Sequence, residues 1–294
     1  MTALATGPAA TAARRTGARV RVRRVLYWIA SHAVAVALSL MFLGPLVFVA
    51  LTALMTDEQA LTSSLWPTSW NWDNFAKVFA RSHLLTWLGN TFMYAGLATL
   101  FMLLSSIPAA YAMARFRFRG RKLAFFAVIT MMMLPPQVVA VPIYLLWARL
   151  DLTGTLWPLI LPMLFGDAFS IFLLRQFLVT IPKEYSEAAR VDGCSDLKTL
   201  VSVILPMARP AIAAVALFQF FYCWNDYYGP LLYTQIKEEN WTLSLGLASF
   251  RALHSVQWNL TMAATLLVMA PVIIVFFFAQ RVFIEGVTLT GVKG

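Results

Sequence analysis

The stretch that decides the fold reads Ile181-Pro-Lys-Glu-Tyr-Ser-Glu-Ala-Ala-Arg-Val-Asp-Gly193, and it runs on to Leu205-Pro206. It forms a charged island in an apolar chain, because nine charged residues lie between Arg175 and Arg209. Two interpretations follow from these residues alone. The island is either an amphipathic loop that lies on the lipid headgroups or a structured surface that is presented to a soluble partner.

The composition places the whole chain in the membrane class. Of its 294 residues, 60% are hydrophobic and 12% are charged, and the mean hydropathy is +0.73, whereas soluble domains carry about 25% charged residues. Cys194 and Cys223 are too few for a disulfide framework or a cysteine-rich metal site. The three histidines, His32, His83 and His254, are too scattered to suggest a metal site.

Windows without charged residues predict six transmembrane helices. A helix needs about 20 apolar residues to cross the hydrocarbon core, and irregular backbone exposed to lipid is too costly to replace it. The predicted spans cover about 26–53, 85–113, 123–147, 156–177, 208–230 and 259–283. The expected fold class is therefore an all-α membrane protein with six spans and one charged hairpin between the fourth and the fifth.

The distribution of Lys and Arg predicts the orientation. Of the 23 basic residues, 18 lie on the side that holds both chain ends and the charged island. Because basic residues accumulate in cytoplasmic loops, both termini and the island are expected in the cytoplasm. The net charge of +10 then reflects topology, and no nucleic-acid partner is expected. Residues 1–24 are expected to form a disordered basic tail.

Local signals predict that the island folds as a helical hairpin. Glu187 lies near the positive end of the first helix dipole, and Ala188 and Ala189 are expected to leave a smooth, shallow surface. Gly193 suits a helix stop because it accepts a positive φ. Ser195 can cap a second helix, which is expected to end at a proline eleven residues further on.

Several motifs resemble a known family. Glu187-Ala-Ala-Arg-Val-Asp-Gly193, followed by Ile204-Leu-Pro206, resembles the EAA loop of ABC-importer permeases. Trp224-Asn-Asp-Tyr227 resembles an element in the fifth span of carbohydrate-uptake permeases, and Ala109-Ala-Tyr-Ala112 with Arg115-Phe-Arg-Phe-Arg-Gly120 resembles another of their stretches. The end of the chain resembles the tail of the maltose-permease small subunit.

The resemblance implies a type I ABC-importer permease fold. Residues 25–294 would form the transmembrane domain, and about 180–206 would form a coupling hairpin that docks on a cytoplasmic ATPase. The residues that it assigns to this contact are Glu187, Ala188, Ala189, Asp192, Gly193, Leu205 and Pro206. Docking on the ATPase is thereby favoured over a loop lying on lipid.

The same resemblance implies a set of partners in a bacterial or archaeal cytoplasmic membrane. They are a second permease subunit, most simply in a heterodimer, two ABC ATPase subunits and an extracytoplasmic solute-binding protein. The sequence contains no G-x-x-x-x-G-K-[ST] motif. ATP and Mg²⁺ are therefore expected on the ATPase subunits, and the chain itself is expected to bind no cofactor and to be no enzyme.

Polar side chains within the predicted spans are candidates for the substrate path, because such groups are costly in a membrane and often functional. They are Asp167, Gln219, Tyr222, Asn225 and Asp226. Carboxylates, amides and aromatic faces are the groups that a sugar needs. Asn225 and Asp226 could equally cap a helix or bind the partner subunit, and Asp167 could make an interhelical hydrogen bond. In this family the other subunit can also hold most substrate contacts.

The expected function is a permease subunit of an ATP-driven sugar importer. Oligosaccharides and glycerol-3-phosphate are both compatible with the family. A self-sufficient secondary transporter would commonly show internal repeats, and a membrane-embedded enzyme would need a nucleophile with its base or a metal cluster. The sequence offers neither signal.

Overall fold

The computed structural model describes residues 8–252 and 257–291, with side chains over 24–250 and 257–280. Every regular element in these ranges is a helix, which confirms the predicted all-α class. The α-helices are α1 Pro8–Ala53, α2 Asp57–Ala60, α3 Asp73–Arg81, α4 Leu84–Arg115, α5 Arg121–Met133, α6 Pro136–Arg149, α7 Trp157–Ile160, α8 Ala168–Thr180, α9 Glu184–Val191, α10 Asp196–Thr199, α11 Leu205–Met207, α12 Arg209–Asn225, α13 Tyr228–Tyr233, α14 Leu243–Ala252 and α15 Trp258–Gly291. Short 3₁₀ helices cover Leu161–Phe165 and Glu238–Asn240, and a π-helical turn covers Leu200–Ile204.

Four of the described segments are each long and apolar enough to cross a membrane. They are Arg24–Ala53, Leu84–Arg115, Trp157–Thr180 and Trp258–Gln280. Two further pairs qualify only as bent spans: Arg121–Met133 with Pro136–Arg149, and Asp196–Met207 with Arg209–Asn225. Six spans result if each bent pair counts as one, and this number agrees with the prediction. The second pair, however, begins at Asp196 within the charged island and ends at Asn225, whereas the predicted fifth span covers 208–230.

The third predicted span is not one straight helix. Helices α5 and α6 meet at an angle of 97°, because Leu134 and Pro135 take extended ψ values of 118° and 130°. A residue before proline is pushed out of the helical region, and both Leu134 and Pro135 precede a proline. The sequence locates the break, but the size of the bend depends on packing.

The fourth and fifth predicted spans also differ from continuous helices. Gly166 has a φ of 93°, which separates the 3₁₀ helix from α8, so the fourth span is a short broken entry followed by one regular helix. Helix α12 ends at Asn225, and Asp226 is extended with a ψ of 116°. Both interruptions place a carboxylate residue at a helix terminus rather than in the middle of a helix.

The N-terminal segment also differs from its prediction. Residues 8–24 continue α1 as a helix, where a disordered tail is predicted, while residues 1–7 lie outside the described part. Ala and Arg are among the best helix formers, and this segment is rich in both. The polar composition of this segment therefore does not prevent a helical backbone.

Helix α4 lies at the centre of the bundle, where α8 and α12 pack along it, while α1 packs on α15. The largest buried apolar cluster lies between α4, α8 and α12, and includes Met102, Leu174 and Val215. Ile204, from the segment that follows α10, is fully buried in the same cluster. The charged island is therefore joined to the bundle through packed apolar side chains.

Helix α14 approaches α4 too closely for any side chain larger than hydrogen at Gly246. A Cβ built at this position would overlap the ring of the buried Trp87. We expect Gly246→Ala to destabilise the protein by about 1–3 kcal/mol through overpacking. The matched control is Gly96→Ala in α4, where a Cβ meets nothing within 4 Å and the helix should gain about 0.5–1 kcal/mol. Thermal unfolding in detergent measures both; equal stability of the two variants would contradict the close approach.

Candidate functional site

The charged island folds as the predicted helical hairpin. Helix α9 ends at Val191, and Gly193 follows with a φ of 78°. The backbone N–H of Gly193 donates to the Arg190 carbonyl at 3.0 Å, which closes the helix end. Ser195 then caps α10, its Oγ accepting from the backbone N–H of Lys198 at 3.3 Å. The predicted glycine stop and serine cap are both confirmed.

The second limb of the hairpin is less regular than predicted. Helix α10 passes at Leu200–Ile204 into a π-helical turn, and α11 continues to Met207, one residue past the predicted stop at Pro206. The axis then bends by 81° into α12. A π turn widens the helix and places an extra residue in it, so the limb turns Leu200 and Ile204 into the apolar cluster while Pro206 stays exposed and Leu205 half-buried.

The two alanines of the motif point in different directions. Ala189 is buried, together with Ser186 one turn earlier, on the face of α9 that packs toward the second limb. Ala188 is exposed, as are Glu187, Asp192 and Gly193. The prediction that both alanines form an outward surface therefore needs correction: Ala188 is available to a partner, and Ala189 seats α9 on its own chain.

The outward face of the hairpin carries apolar side chains that sequence reasoning missed. Val191 is 88% exposed and Leu197 is 71% exposed, one on each side of the turn at Gly193. Ala188 precedes Val191 by three residues, so the two share a face of α9. We call Ala188, Val191 and Leu197 the hairpin tip. The sequence could have indicated them, because Val191 and Leu197 are large aliphatic residues among charged neighbours. Exposed apolar groups in such a setting mark interaction sites.

Two polar contacts hold the hairpin in place. Arg190 and Asp196 form an ion pair at 2.9 Å across the turn, and Asp196 raises the pKa of Arg190 by accepting its hydrogen bond. Both side chains are more than half exposed, so the pair orients the turn more than it stabilises the fold. At the root, Arg115 Nη2 donates to the Ile181 carbonyl at 2.8 Å, which links the hairpin to the end of α4.

Asp167 lies at the start of α8 rather than in the middle of a helix. Its Oδ2 accepts from the backbone N–H of Ser170 at 2.7 Å, so the carboxylate caps α8. The interhelical bond at this position comes from its backbone N–H, which donates to Ser106 Oγ on α4 at 3.1 Å. The side chain remains half-buried, which leaves one carboxylate oxygen available to a further donor.

The polar residues of the fifth span divide into inner and outer groups. Gln219 is buried, and its amide donates to Met163 Sδ at 3.5 Å and Cys223 Sγ at 3.3 Å. Asp226 accepts from the Tyr94 hydroxyl at 2.9 Å and from the Gly229 N–H at 3.0 Å. These contacts give both residues structural partners within the chain, and they support the helix-terminal alternative for Asp226.

Tyr222 and Asn225 lie on the outer side of α12. Tyr222 is 61% exposed, while the exposed Asn225 donates back to the Phe221 carbonyl at 2.8 Å. Helix α12 packs on α8, which Asp167 caps. The structure therefore places Tyr222 and Asn225 on an exposed face of α12, apart from the buried Gln219.

Aromatic side chains extend this face from α12 to α8. The rings of Phe169 and Phe218 meet with centroids 6.1 Å apart, Phe218 lies one turn before Tyr222, and Phe165 is 89% exposed. We call Phe165, Phe169, Phe218 and Tyr222 the aromatic face. Sequence patterns alone cannot separate these phenylalanines from lipid-facing ones, since both kinds are apolar.

These features define a class of protein: a multi-pass helical membrane subunit with a charged hairpin, whose apolar tip is covered by no described part of the chain. The comparison with protein families then identifies it. The chain belongs to the binding-protein-dependent transport system inner membrane component family, whose model matches residues 106–288. It is a transport subunit rather than an enzyme.

Relatives with known names support this membership. The chain is 32% identical to the arabinooligosaccharides transport system permease protein AraQ of Halalkalibacterium halodurans, over 78% of this chain and 81% of the relative. It is 33% identical to the diacetylchitobiose uptake system permease protein DasC of Streptomyces coelicolor, over 78% and 83%. It is 34% identical to the sn-glycerol-3-phosphate transport system permease protein UgpE of Pectobacterium atrosepticum, over 87% and 94%.

Solved structures share the fold. A bacterial ABC transporter involved in the import of the acidic polysaccharide alginate contains a chain that matches with a TM-score of 0.74 at 24% identity, over 87% of this chain and 96% of that chain. A second structure, of the alginate transporter in complex with an alginate pentasaccharide-bound periplasmic protein, matches with a TM-score of 0.66 at 17% identity. The predicted type I importer permease fold is thereby confirmed.

Proposed function

We propose that this chain is the permease subunit of an ATP-driven importer for an oligosaccharide or related sugar. It forms half of the translocation path and couples that path to a separate ATPase. The observation that carries the proposal is the hairpin tip, an uncovered apolar surface on a rigidly rooted hairpin in a chain of this family. The names of AraQ and DasC, which both refer to oligosaccharide uptake, support the substrate class.

Coupling follows from the way the hairpin is attached. A cytoplasmic ATPase subunit would cover Ala188, Val191 and Leu197, and Glu187 would pair with a cation there. Ile181 and Ile204 are buried at the root of the hairpin, in the same cluster as side chains of α4, α8 and α12. Because packed interiors transmit displacement rather than absorb it, movement of the tip by ATP-driven closure would tilt these helices.

The aromatic face is the proposed sugar path of this subunit. Sugars present C–H groups that stack on aromatic rings and hydroxyls that donate to carboxylates. This face offers the Tyr222 ring on α12, and the Asp167 carboxylate stands at the start of α8, two residues before Phe169. Asn225 adds an amide at the end of α12. A phosphate substrate is disfavoured, because Asp167 is negatively charged. Gln219 and Asp226 hold the path in shape through their bonds within the chain.

The assembly needs further subunits. A second permease subunit would cover the aromatic face and complete the path, two ATPase subunits would bind ATP and Mg²⁺, and an extracytoplasmic solute-binding protein would deliver the sugar. Residues 25–294 would form the transmembrane domain, with both termini and the hairpin in the cytoplasm as the Lys and Arg distribution predicts.

Reconstitution in liposomes tests the proposal. With the partner permease, the ATPase and the solute-binding protein, uptake of a labelled oligosaccharide should require ATP inside and sugar-loaded binding protein outside, and vanadate should abolish it. Uptake by this chain alone, driven by an ion gradient without ATP, would replace the proposal with a secondary transporter.

The aromatic face makes a separate prediction. Tyr222→Ala should raise the KM for transport by roughly three- to tenfold, because an aromatic contact contributes about 1 kcal/mol. Phe278→Ala removes an exposed aromatic ring from another helix, α15, where Phe278 is 84% exposed, and should leave the KM unchanged. Concentration series of uptake in proteoliposomes give both values. An unchanged KM for Tyr222→Ala would remove this residue from the path.

A further inference from the structure

Two arginines, Arg121 on α5 and Arg175 on α8, lie on helices that pack together at the hairpin end of the bundle, and neither has an acidic partner among the described side chains. Arg175 lies in α8, within an apolar span, and its guanidinium carbon sits 3.8 Å from the centroid of the Phe125 ring in α5. Its Nε is buried and has no hydrogen-bond partner. A cation placed inside a span without a counter-charge is costly, so an anion bound beside Arg175 would lower this cost.

The neighbouring charge adds to that cost. Arg121, in the first turn of α5, lies one helical turn before Phe125 and so on the face that Arg175 contacts, and its own Nη1 donates to a neutral acceptor, the Phe116 carbonyl, at 3.1 Å. Among the side chains that the structure describes, no carboxylate lies within 4.0 Å of Arg121 or Arg175. The pair therefore presents two positive charges for which the described side chains supply no anion.

The surroundings indicate where an anion would come from. Leu123 and Phe126, both on α5 within five residues of Arg121, are largely exposed apolar side chains. Phe118 is also exposed in the turn before α5, between basic residues. Exposed aliphatic and aromatic groups directly beside cations are typical of the boundary between headgroups and acyl chains. A soluble anion would gain nothing from these apolar side chains. A phospholipid would contact the arginines with its phosphate and the apolar side chains with its acyl chains.

We propose that Arg121 and Arg175 bind the phosphodiester of one anionic phospholipid, such as phosphatidylglycerol. Its acyl chains lie along Leu123 and Phe126. The Phe125 ring holds the Arg175 guanidinium in position by a cation–π contact and leaves its donors free for phosphate oxygens, which suit the planar guanidinium fork. The bound lipid neutralises the arginine pair and joins α5 to α8. This site is independent of the sugar and of the ATPase.

Native mass spectrometry of the assembled transporter tests the site with a mixture of phosphatidylglycerol and phosphatidylcholine. The Arg121→Gln/Arg175→Gln variant should lose its preference for phosphatidylglycerol by about tenfold or more, since each basic residue near a membrane surface contributes a severalfold factor. Arg117→Gln/Arg119→Gln is the matched control, because it removes two exposed charges from the same turn. It should retain the preference within about threefold.

An equal loss of the phosphatidylglycerol preference in both variants would indicate diffuse electrostatic attraction and would overturn the site. An unchanged preference in both variants would overturn it as well. Displacement of the lipid by millimolar inorganic phosphate would overturn the lipid assignment in favour of a free anion. If the arginine variant fails to assemble, stepwise delipidation of the wild-type transporter decides the question. One retained phosphatidylglycerol per copy of this chain supports the site, and loss of both lipids in parallel contradicts it.

Discussion

Replacing Gly193 by valine should lower ATP-driven uptake about tenfold or more, while the amount of protein in the membrane stays the same. Gly193 holds a φ of 78° between the two limbs of the hairpin, and a left-handed conformation costs an L-residue about 1–2 kcal/mol. The hairpin is free to relieve this strain by reorienting its tip, since no atom crowds the position. A reoriented tip no longer fits its ATPase.

The matched control is Gly154→Val. Gly154 has nearly the same backbone conformation, with a φ of 80°, and a Cβ there would make only ordinary contacts with the Lys237 side chain. Because the φ values are similar, the strain should be similar. Gly154 lies in the loop on the opposite side of the bundle from the hairpin, so uptake should remain close to normal. If both variants transport equally well, or lose uptake equally, the hairpin has no special role in coupling.

The hairpin tip makes the second large prediction. The double variant Val191→Asp/Leu197→Asp should reduce co-purification of the ATPase with this chain by at least about 100-fold. Both side chains are exposed in the isolated chain, so the change should not disturb folding. In the docked assembly they would be covered, and an uncompensated buried charge costs about 3–5 kcal/mol.

Leu61→Asp serves as the control for this variant. Leu61 is about as exposed as Leu197 and receives the same substitution, but it lies in the segment after α1 on the far side of the bundle. Its ATPase yield should match the wild type. An unchanged ATPase yield for the hairpin variant, with folding intact, would mean that the tip is not the docking surface.

The sequence specified the hairpin because its signals are local. A positive φ at Gly193 and a side-chain cap at Ser195 depend on a few neighbouring residues, and both appear in the structure. The orientation of α9, in contrast, could not be predicted from local signals. Whether Ala188 or Ala189 faces outward depends on the second limb, whose register is shifted by the π turn at Leu200–Ile204.

The candidate path was harder to predict for a different physical reason. Hydropathy reports that a segment is apolar, but Gly166 and the prolines at 135–136 change the chain direction without changing hydropathy. Asp167 thus became a cap at a break, where the sequence suggested a group inside a span. The phenylalanines of the aromatic face were not predicted, because exposed aromatic side chains are equally suited to contact lipid, a partner helix or a sugar ring.

The most direct test of the coupling role is photo-cross-linking from the hairpin tip in the assembled transporter in native membranes. A photoreactive amino acid placed at Val191 should form an adduct with the ATPase subunit, and the yield should change when vanadate traps the nucleotide-bound state. The same group at Leu61 should give no such adduct. Cross-linking of Val191 to lipid alone, in an assembly that still hydrolyses ATP, would contradict the account.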